Sequence, residues 1–554
     1  MTRGFHRTAA AAVVVTALLG LGSVQPPPAA VPGIDVLGYD VELSLERSEA
    51  FFQGRVSIRF ALQEPRPSEL PLDLSGLEIE WVRIDGADTR FRRDRGTLRI
   101  PIPPSAEVGD ELAVEILYGG SPVDGLILRN NVHGVLSAFV DNWPDRARYW
   151  LPSIDHPSDK ATVRFTVHAP SAWSVVANGR MVGEPTPTDS AALGGAGGRR
   201  TWRWESAVPV STYNMVVGAS EFAIRSVGTA ACGRAPATLR DDGCVDVSYW
   251  AYPADTSFAA ELFARAPQMV DFFADLIGPF PFEKLANVQS ATRFGGMENA
   301  SAIFYSEEKI ARGTMAEGTV SHEIAHQWFG DSVTEAEWSH LWLSEGFATY
   351  FGALFFEYAD GTDEFRRRME ESRRTYVSSD DVGQPILRSE SDLMDLLNRN
   401  NYEKGGWVLH MLRGILGDED FFTGIREYFR RHAGDVVLTA DFRRTMEEVS
   451  GQDLEWFFSQ WVHEPGYPRI AISTEWFPGS SELEIRIRQE QRESWPTFRF
   501  AADVEFDLPG GALRRSVEVR DRDQTVRVAL PQAPTAVTFD PDGWILREII
   551  GDGW

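Results

Sequence analysis

The chain has 554 residues, 43% hydrophobic and 11% aromatic, with 54 Lys and Arg against 81 Asp and Glu, a formal charge of −27. This length exceeds what one core usually fills, so more than one domain is expected. The acidic balance excludes a nucleic-acid partner, which needs clustered Lys and Arg, and describes a solvated surface.

In chain order, residues 1–30 read as a signal peptide: Arg3 and Arg7 precede the apolar run Ala9–Val24. The run is shorter than the ~20 residues a membrane span needs. Export is therefore expected, secreted or periplasmic, with no stable span after cleavage. A retained anchor stays open, because no sharp A-x-A site follows. No cysteine lies near the run, which excludes a lipid-modified cysteine there.

Residues 34–227 alternate with period two. YDVELSLE puts Val41, Leu43 and Leu45 on one face, and GRVSIRFAL does the same with Val56, Ile58 and Phe60, predicting an N-terminal β domain. The Gly-rich stretch Thr186–Arg200 reads as a mobile loop tip. Cys232 and Cys244 are disulfide candidates in an exported protein. With no companion Cys or His nearby they do not make a structural zinc site.

Residues 228–466 form a mixed and then helical region. DTSFAAELFARAPQMVDFFADLIGPFPF has helical period, and LANVQSATRFGGMENASAIFY is strand-like on both sides of Gly295-Gly296. Helix starts are placed at Ser339, Thr362 and Thr439. The HEPGYP stretch, His463–Pro468, breaks the helices. Residues 467–554 alternate again and predict a small C-terminal β-sandwich. The fold class expected is multidomain α+β.

The chemistry gathers in the helical region. In TVSHEIAHQWFGDSVTEAEW, His322 and His326 are four apart and project side by side from one helix, as two imidazoles on one metal must. Glu323, rotated by about 100°, flanks that position as a base would. Gly330 is a plausible helix stop. Two histidines on an ordinary helix would read the same, so a third ligand decides. Glu345 in HLWLSEGFATY lies among Leu341, Trp342, Leu343, Phe347 and Ala348, where an unpaired carboxylate is costly.

HEIAH followed by Glu345 in WLSEGFA resembles the gluzincin zinc aminopeptidases, the aminopeptidase N and leukotriene-hydrolase family. GGMEN, NYEKGGWVLHMLR, RYWLPSIDHPSDKATVRFTVHAP and WFFSQWVHEPGYP resemble further family segments in family order, from Tyr39 to Pro468. The resemblance implies a thermolysin-like catalytic domain holding one Zn2+ per chain on His322, His326 and Glu345. It implies Glu323 as general base and Tyr402 as oxyanion donor. Gly295, Gly296, Met297, Glu298 and Asn299 would bind a peptide with a free N-terminus, Glu298 taking the amine. Trp143 occupies the slot of the family's second amine anchor, so Asp141 or Asn142 beside it are candidates. Ser344 and Asp331 stand where Asn is common. The chain ends without the helical C-terminal domain of several relatives, which is expected to leave the cleft open. A thermolysin-like endopeptidase and a catalytically inactive peptide-binding module are the alternatives.

Overall fold

A computed structural model describes residues 30–45, 52–188, 198–234 and 243–551. Apart from Ala30, the segment read as a signal peptide lies outside these residues.

Strand Ile34–Leu45 pairs antiparallel with Phe52–Leu62 and parallel with Lys160–Pro170, at the centre of a nine-stranded sheet. The alternation predicted this: Val41, Leu43, Leu45, Val56, Ile58 and Phe60 are all buried, while Glu42 and Arg55 face out. A four-stranded sheet and a three-stranded sheet complete the region. The expected loop over Thr186–Arg200 is only partly one. Thr186 and Pro187 pair with Thr201 and Arg200, because ladder bonds use main-chain groups whatever the side chains; residues 189–197 lie outside the description.

The next sheet runs, in order, Ala223–Ala230, Val245–Ala251, Lys284–Ser290, Ala302–Ser306 and Gly296–Met297. Its first strand crosses residue 227, where the composition shift put a boundary, and pairs with Val245–Ala251. Its last strand, Gly296–Met297, is antiparallel to its neighbour and forms an edge. Cys232 and Cys244 are disulfide-bonded just beyond the first strand, a closure worth about 3 kcal/mol.

The helices are α1 (Thr256–Leu262), α2 (Ala266–Leu276), α3 (Glu307–Ala311), α4 (Glu317–His326), α5 (Trp342–Asp360), α6 (Thr362–Val377), α7 (Gly405–His432, interrupted at Gly417), α8 (Thr439–Ser450) and α9 (Glu455–Val462). One long periodic stretch became α1 and α2 because Pro267 cannot continue a helix but suits a first turn. Thr362 and Thr439 are the first residues of their helices rather than caps; at Leu438 the main-chain N–H is instead bonded by Asp441 at 2.8 Å. Ser339 sits in a 3-10 turn, Trp338–His340, and α5 starts three residues later. That turn closes through Leu341 N to Trp338 O, which places Glu345 in the first turn of α5.

An aromatic cluster fixes these helices together. Phe329, after α4, lies 4.7 Å from the Phe347 ring and 5.2 Å from Phe351 on α5, and Phe347 meets Phe442 of α8 at 5.0 Å. Each ring so buried contributes roughly 2–3 kcal/mol. C-terminal to α9, a four-stranded and a three-stranded sheet bury Ile485, Ile487, Val504 and Phe506. Among the described residues no helix is long and apolar enough to cross a membrane.

Candidate metal centre and peptide cleft

The sequence spacing becomes a geometric set where α4 crosses α5. Gly352 permits the crossing: a Cβ there would stand 3.2 Å from the His322 Cα. The His322 and His326 rings lie 4.6 Å apart on one face. Their Nε2 atoms are 3.0 Å apart, and Glu345 Oε2 is 3.1 Å from the first and 3.2 Å from the second. Three donors held about 2 Å from one tetrahedral zinc would be roughly 3.3 Å from one another, so the triangle fits.

The hydrogen bonding supports the same fit. His326 Nδ1 donates to Phe329 O at 3.0 Å and lies 3.0 Å from Ser344 Oγ, so in the neutral ring Nε2 carries the lone pair. That lone pair faces a second imidazole nitrogen and a carboxylate oxygen, an arrangement that a cation stabilises. Ser344 thus does orienting work as Asn would. Gly330 is not the helix stop itself, since α4 ends at His326. It turns the chain with φ +117°, and a Cβ there would come 2.4 Å from Ser344 Oγ and 3.0 Å from His326 Nδ1.

Tyr402 approaches from the other side. It sits in a π-helical turn, Asn400–Lys404, leading into α7. Its hydroxyl donates to Glu345 Oε1 at 2.6 Å, and its ring stacks near His322. Burial, reinforced by Glu345, pushes the phenol well above its usual pKa, so it stays a donor. Gly346, next to Glu345, meets Gly405 of α7 backbone to backbone: a Cβ on Gly346 would lie 2.8 Å from the Gly405 Cα. This contact sets the distance between the ligand helix and the tyrosine.

Glu323 and Glu298 complete the constellation. Each places a carboxylate oxygen within 4.8 Å of a His326 nitrogen and of the other. Burial pushes Glu323 well above the carboxylate range, with Glu298 and Glu345 adding to it. Burial likewise raises Glu298 to about 7 despite nearby His326.

Gly296 has a sharper reason than close approach of a substrate. A Cβ there would fall 2.2 Å from Glu323 Oε1, so the glycine makes room for the base.

Gly295, Gly296, Met297 and Glu298 line a cavity of about 580 Å³ that also contains the histidines, Glu323, Glu345 and Tyr402. Asn299 does not reach it. Its side chain is fully buried, with neither amide atom bonded among the described residues.

The second amine anchor is corrected outright. Asn142 donates to Thr212 O and Met215 O and accepts from Trp150 Nε1, leaving nothing for a ligand. Asp141 is buried and ion-paired with Arg146 at 3.0 Å and Arg293 at 3.6 Å. Trp143 faces the cavity instead, edge-on to Phe294 and Trp338.

Sequence reading also passed over Gln327. Its amide donates to Glu298 O at 2.6 Å and Asp331 Oδ2 at 2.7 Å and accepts from Ser301 N, tying the edge strand to α4. A polar residue directly after His326 was the available signal.

Residues 262–461 match the peptidase family M1 domain and residues 36–214 the peptidase M1 N-terminal domain. The chain is 30% identical over 372 residues to aminopeptidase N of Streptomyces lividans, covering 63% of this chain and 40% of that one. An M1 zinc metallopeptidase from Deinococcus radiodurans superimposes with a TM-score of 0.66 at 26% identity, covering 78% of this chain and 94% of that one. Aminopeptidase A of Legionella pneumophila shares the fold, with a TM-score of 0.80 at 16% identity over 95% of this chain and 60% of that one. The chain spans about half the length of the curated relatives it matches, 40% to 56%. The matched N-terminal and catalytic regions meet in that order around one histidine–glutamate centre, and the chain belongs to peptidase family M1.

Proposed function

We propose that the protein is a zinc-dependent aminopeptidase that hydrolyses the N-terminal peptide bond of peptides. The observation carrying this is Glu298, a cavity carboxylate within 4.8 Å of the base and of a ligand histidine. A carboxylate so placed pairs with an α-ammonium and holds the first peptide bond beside the metal set. The bound ammonium would keep Glu298 ionised at neutral pH, against the upward push of burial.

His322, His326 and Glu345 would hold one zinc per chain, which would supply Lewis acidity toward the scissile carbonyl and the attacking water. Glu323, which the charge of a bound zinc would hold ionised against the upward push of burial, accepts the proton of that water and returns it to the leaving amine. Tyr402 donates its hydroxyl proton in a hydrogen bond to the carbonyl oxygen as negative charge develops there. Trp143 and Met297 present apolar surface to the first side chain.

The test is hydrolysis of aminoacyl-anilides, abolished by a chelator and restored by zinc, together with a peptide and its N-acetyl twin. The free amine should be preferred by at least about a hundredfold, and Glu298→Ala should erase most of that preference. Equal cleavage of the twins would favour the endopeptidase. No turnover in the zinc-loaded protein would leave a binding module.

The basic start and apolar run at Arg3–Val24 support export to the periplasm or medium, a reading tested by fractionation and N-terminal sequencing of the mature chain.

A further inference from the structure

The main-chain turn that follows α4 orients a metal ligand without being one. Its Phe329 carbonyl accepts from His326 Nδ1 at 3.0 Å, and the next three residues, Gly330, Asp331 and Ser332, are buried. A carbonyl oxygen has two lone pairs, and each of these three carbonyls takes one donor from each region of the chain. From the catalytic region, Thr334 Oγ1 donates to Gly330 O at 2.5 Å and to Asp331 O at 3.2 Å, and Gly434 N to Ser332 O at 2.9 Å. From the N-terminal region, the Tyr213 hydroxyl donates to Gly330 O at 3.0 Å, and Lys160 Nζ to Asp331 O at 3.1 Å and Ser332 O at 2.7 Å.

The two N-terminal donors come from one corner of that region. Lys160 opens strand Lys160–Pro170 and is paired in register with Ser211, just before the 3-10 turn Thr212–Asn214 that carries Tyr213. Tyr213 is 1% exposed. Its ring also lies 5.4 Å from that of Trp338, the first residue of the 3-10 turn that leads into α5. It therefore touches both the chain that follows the histidine pair and the chain that precedes Glu345. Neither Tyr213 nor Lys160 is among the residues lining the cavity.

We propose that Tyr213 and Lys160 are positioning residues for the metal centre: by holding the Gly330–Ser332 carbonyls they keep the Phe329 carbonyl on His326, so that the N-terminal region sets how firmly the catalytic region retains zinc. This rests on the zinc aminopeptidase reading above. Partners that orient a ligand imidazole are worth roughly ten- to a hundredfold in metal affinity. Without its N-terminal donor a buried carbonyl is left short of one bond. The turn is then free to shift, and the His326 ring loses the acceptor that fixes its tautomer and orientation.

The experiment loads the whole chain with zinc and follows its loss to an excess of a colorimetric chelator, well below the melting temperature. Tyr213→Phe removes one hydroxyl and keeps the ring on Trp338; Lys160→Met removes both bonds from the lysine to the turn. Each should speed zinc loss about tenfold, and the double variant more. Zinc should also raise the melting temperature of each variant by less than that of the wild type. Lys160→Arg, which can still donate to two carbonyls, should recover part of the loss. Lys284→Met is the control. That lysine also joins the two regions, donating to Ala177 O at 2.8 Å, but its bonds lie away from the turn. It should lower the melting temperature of the zinc-free protein and leave zinc loss as in the wild type. Faster loss in only one of Tyr213→Phe and Lys160→Met assigns the role to that residue. Unchanged loss in both, or equal acceleration by Lys284→Met, overturns the proposal while the parent reading stands. A wild-type chain that takes up no zinc overturns both.

Discussion

Two segments approach the same cavity and use their polar residues in opposite ways. The α4–α5 pair brings His322, His326, Glu323 and Glu345 together, with Glu298 added from the edge strand, in a group whose donors face one another. The N-terminal turn Asp141–Trp150 is equally polar and equally buried, yet its charges and amides are closed on each other. Only the Trp143 ring is left to face the cavity. Nearness to a cavity therefore does not make a polar residue functional; its polar atoms must also face the cavity.

The difference can be pressed experimentally. Glu323→Gln should lower kcat about 10³-fold and Tyr402→Phe about 10²-fold, with zinc content by metal analysis unchanged in both. Near-wild-type turnover in either would remove its role. In the other segment Asn142→Ala should do the reverse: lower stability by about 3 kcal/mol, from three lost hydrogen bonds and an orphaned Trp150 N–H, while the correctly folded fraction keeps its KM for leucyl-anilide. A raised KM without a fall in melting temperature would show that Asn142 does touch substrate.

An effect confined to alkaline pH follows from Asp159, deep in the N-terminal sheet region. It accepts one bond, from Val36 N, leaves Oδ2 without a partner among the described residues, and is raised by burial to about 8. A folded pKa above the unfolded 3.8 means that this group's contribution is intact below about pH 4 and is lost as pH rises through 8. Asp159→Asn should therefore narrow the loss of melting temperature between pH 5 and 8.5, on the order of 2–4 kcal/mol of relief at the alkaline end. Parallel melting profiles for the two proteins would refute it.

The ligand set was legible because its spacing is local: four residues on one helix, then one carboxylate in an otherwise apolar helix. The strands of the N-terminal region were legible for a similar reason, alternation being read one residue at a time. What long-range packing decides was not. Arg293 reaches Asp141 across 152 positions, and no pattern in either stretch announces it. Asn299 misled in the other direction, since adjacency to Glu298 in sequence puts it behind the strand, not in the cleft.

The Gly346–Gly405 contact has a consequence for anyone who would make this protein hardier. Replacing helical glycines by alanine is a standard stabilising move, worth about 0.5–1 kcal/mol each. At these two positions the added methyl would meet backbone at 2.8–2.9 Å and wedge α5 from the start of α7. Tyr402 would be pulled from Glu345, and the intended gain in stability would become a loss. Neither glycine can be changed, and changing both would add a second methyl to the same contact.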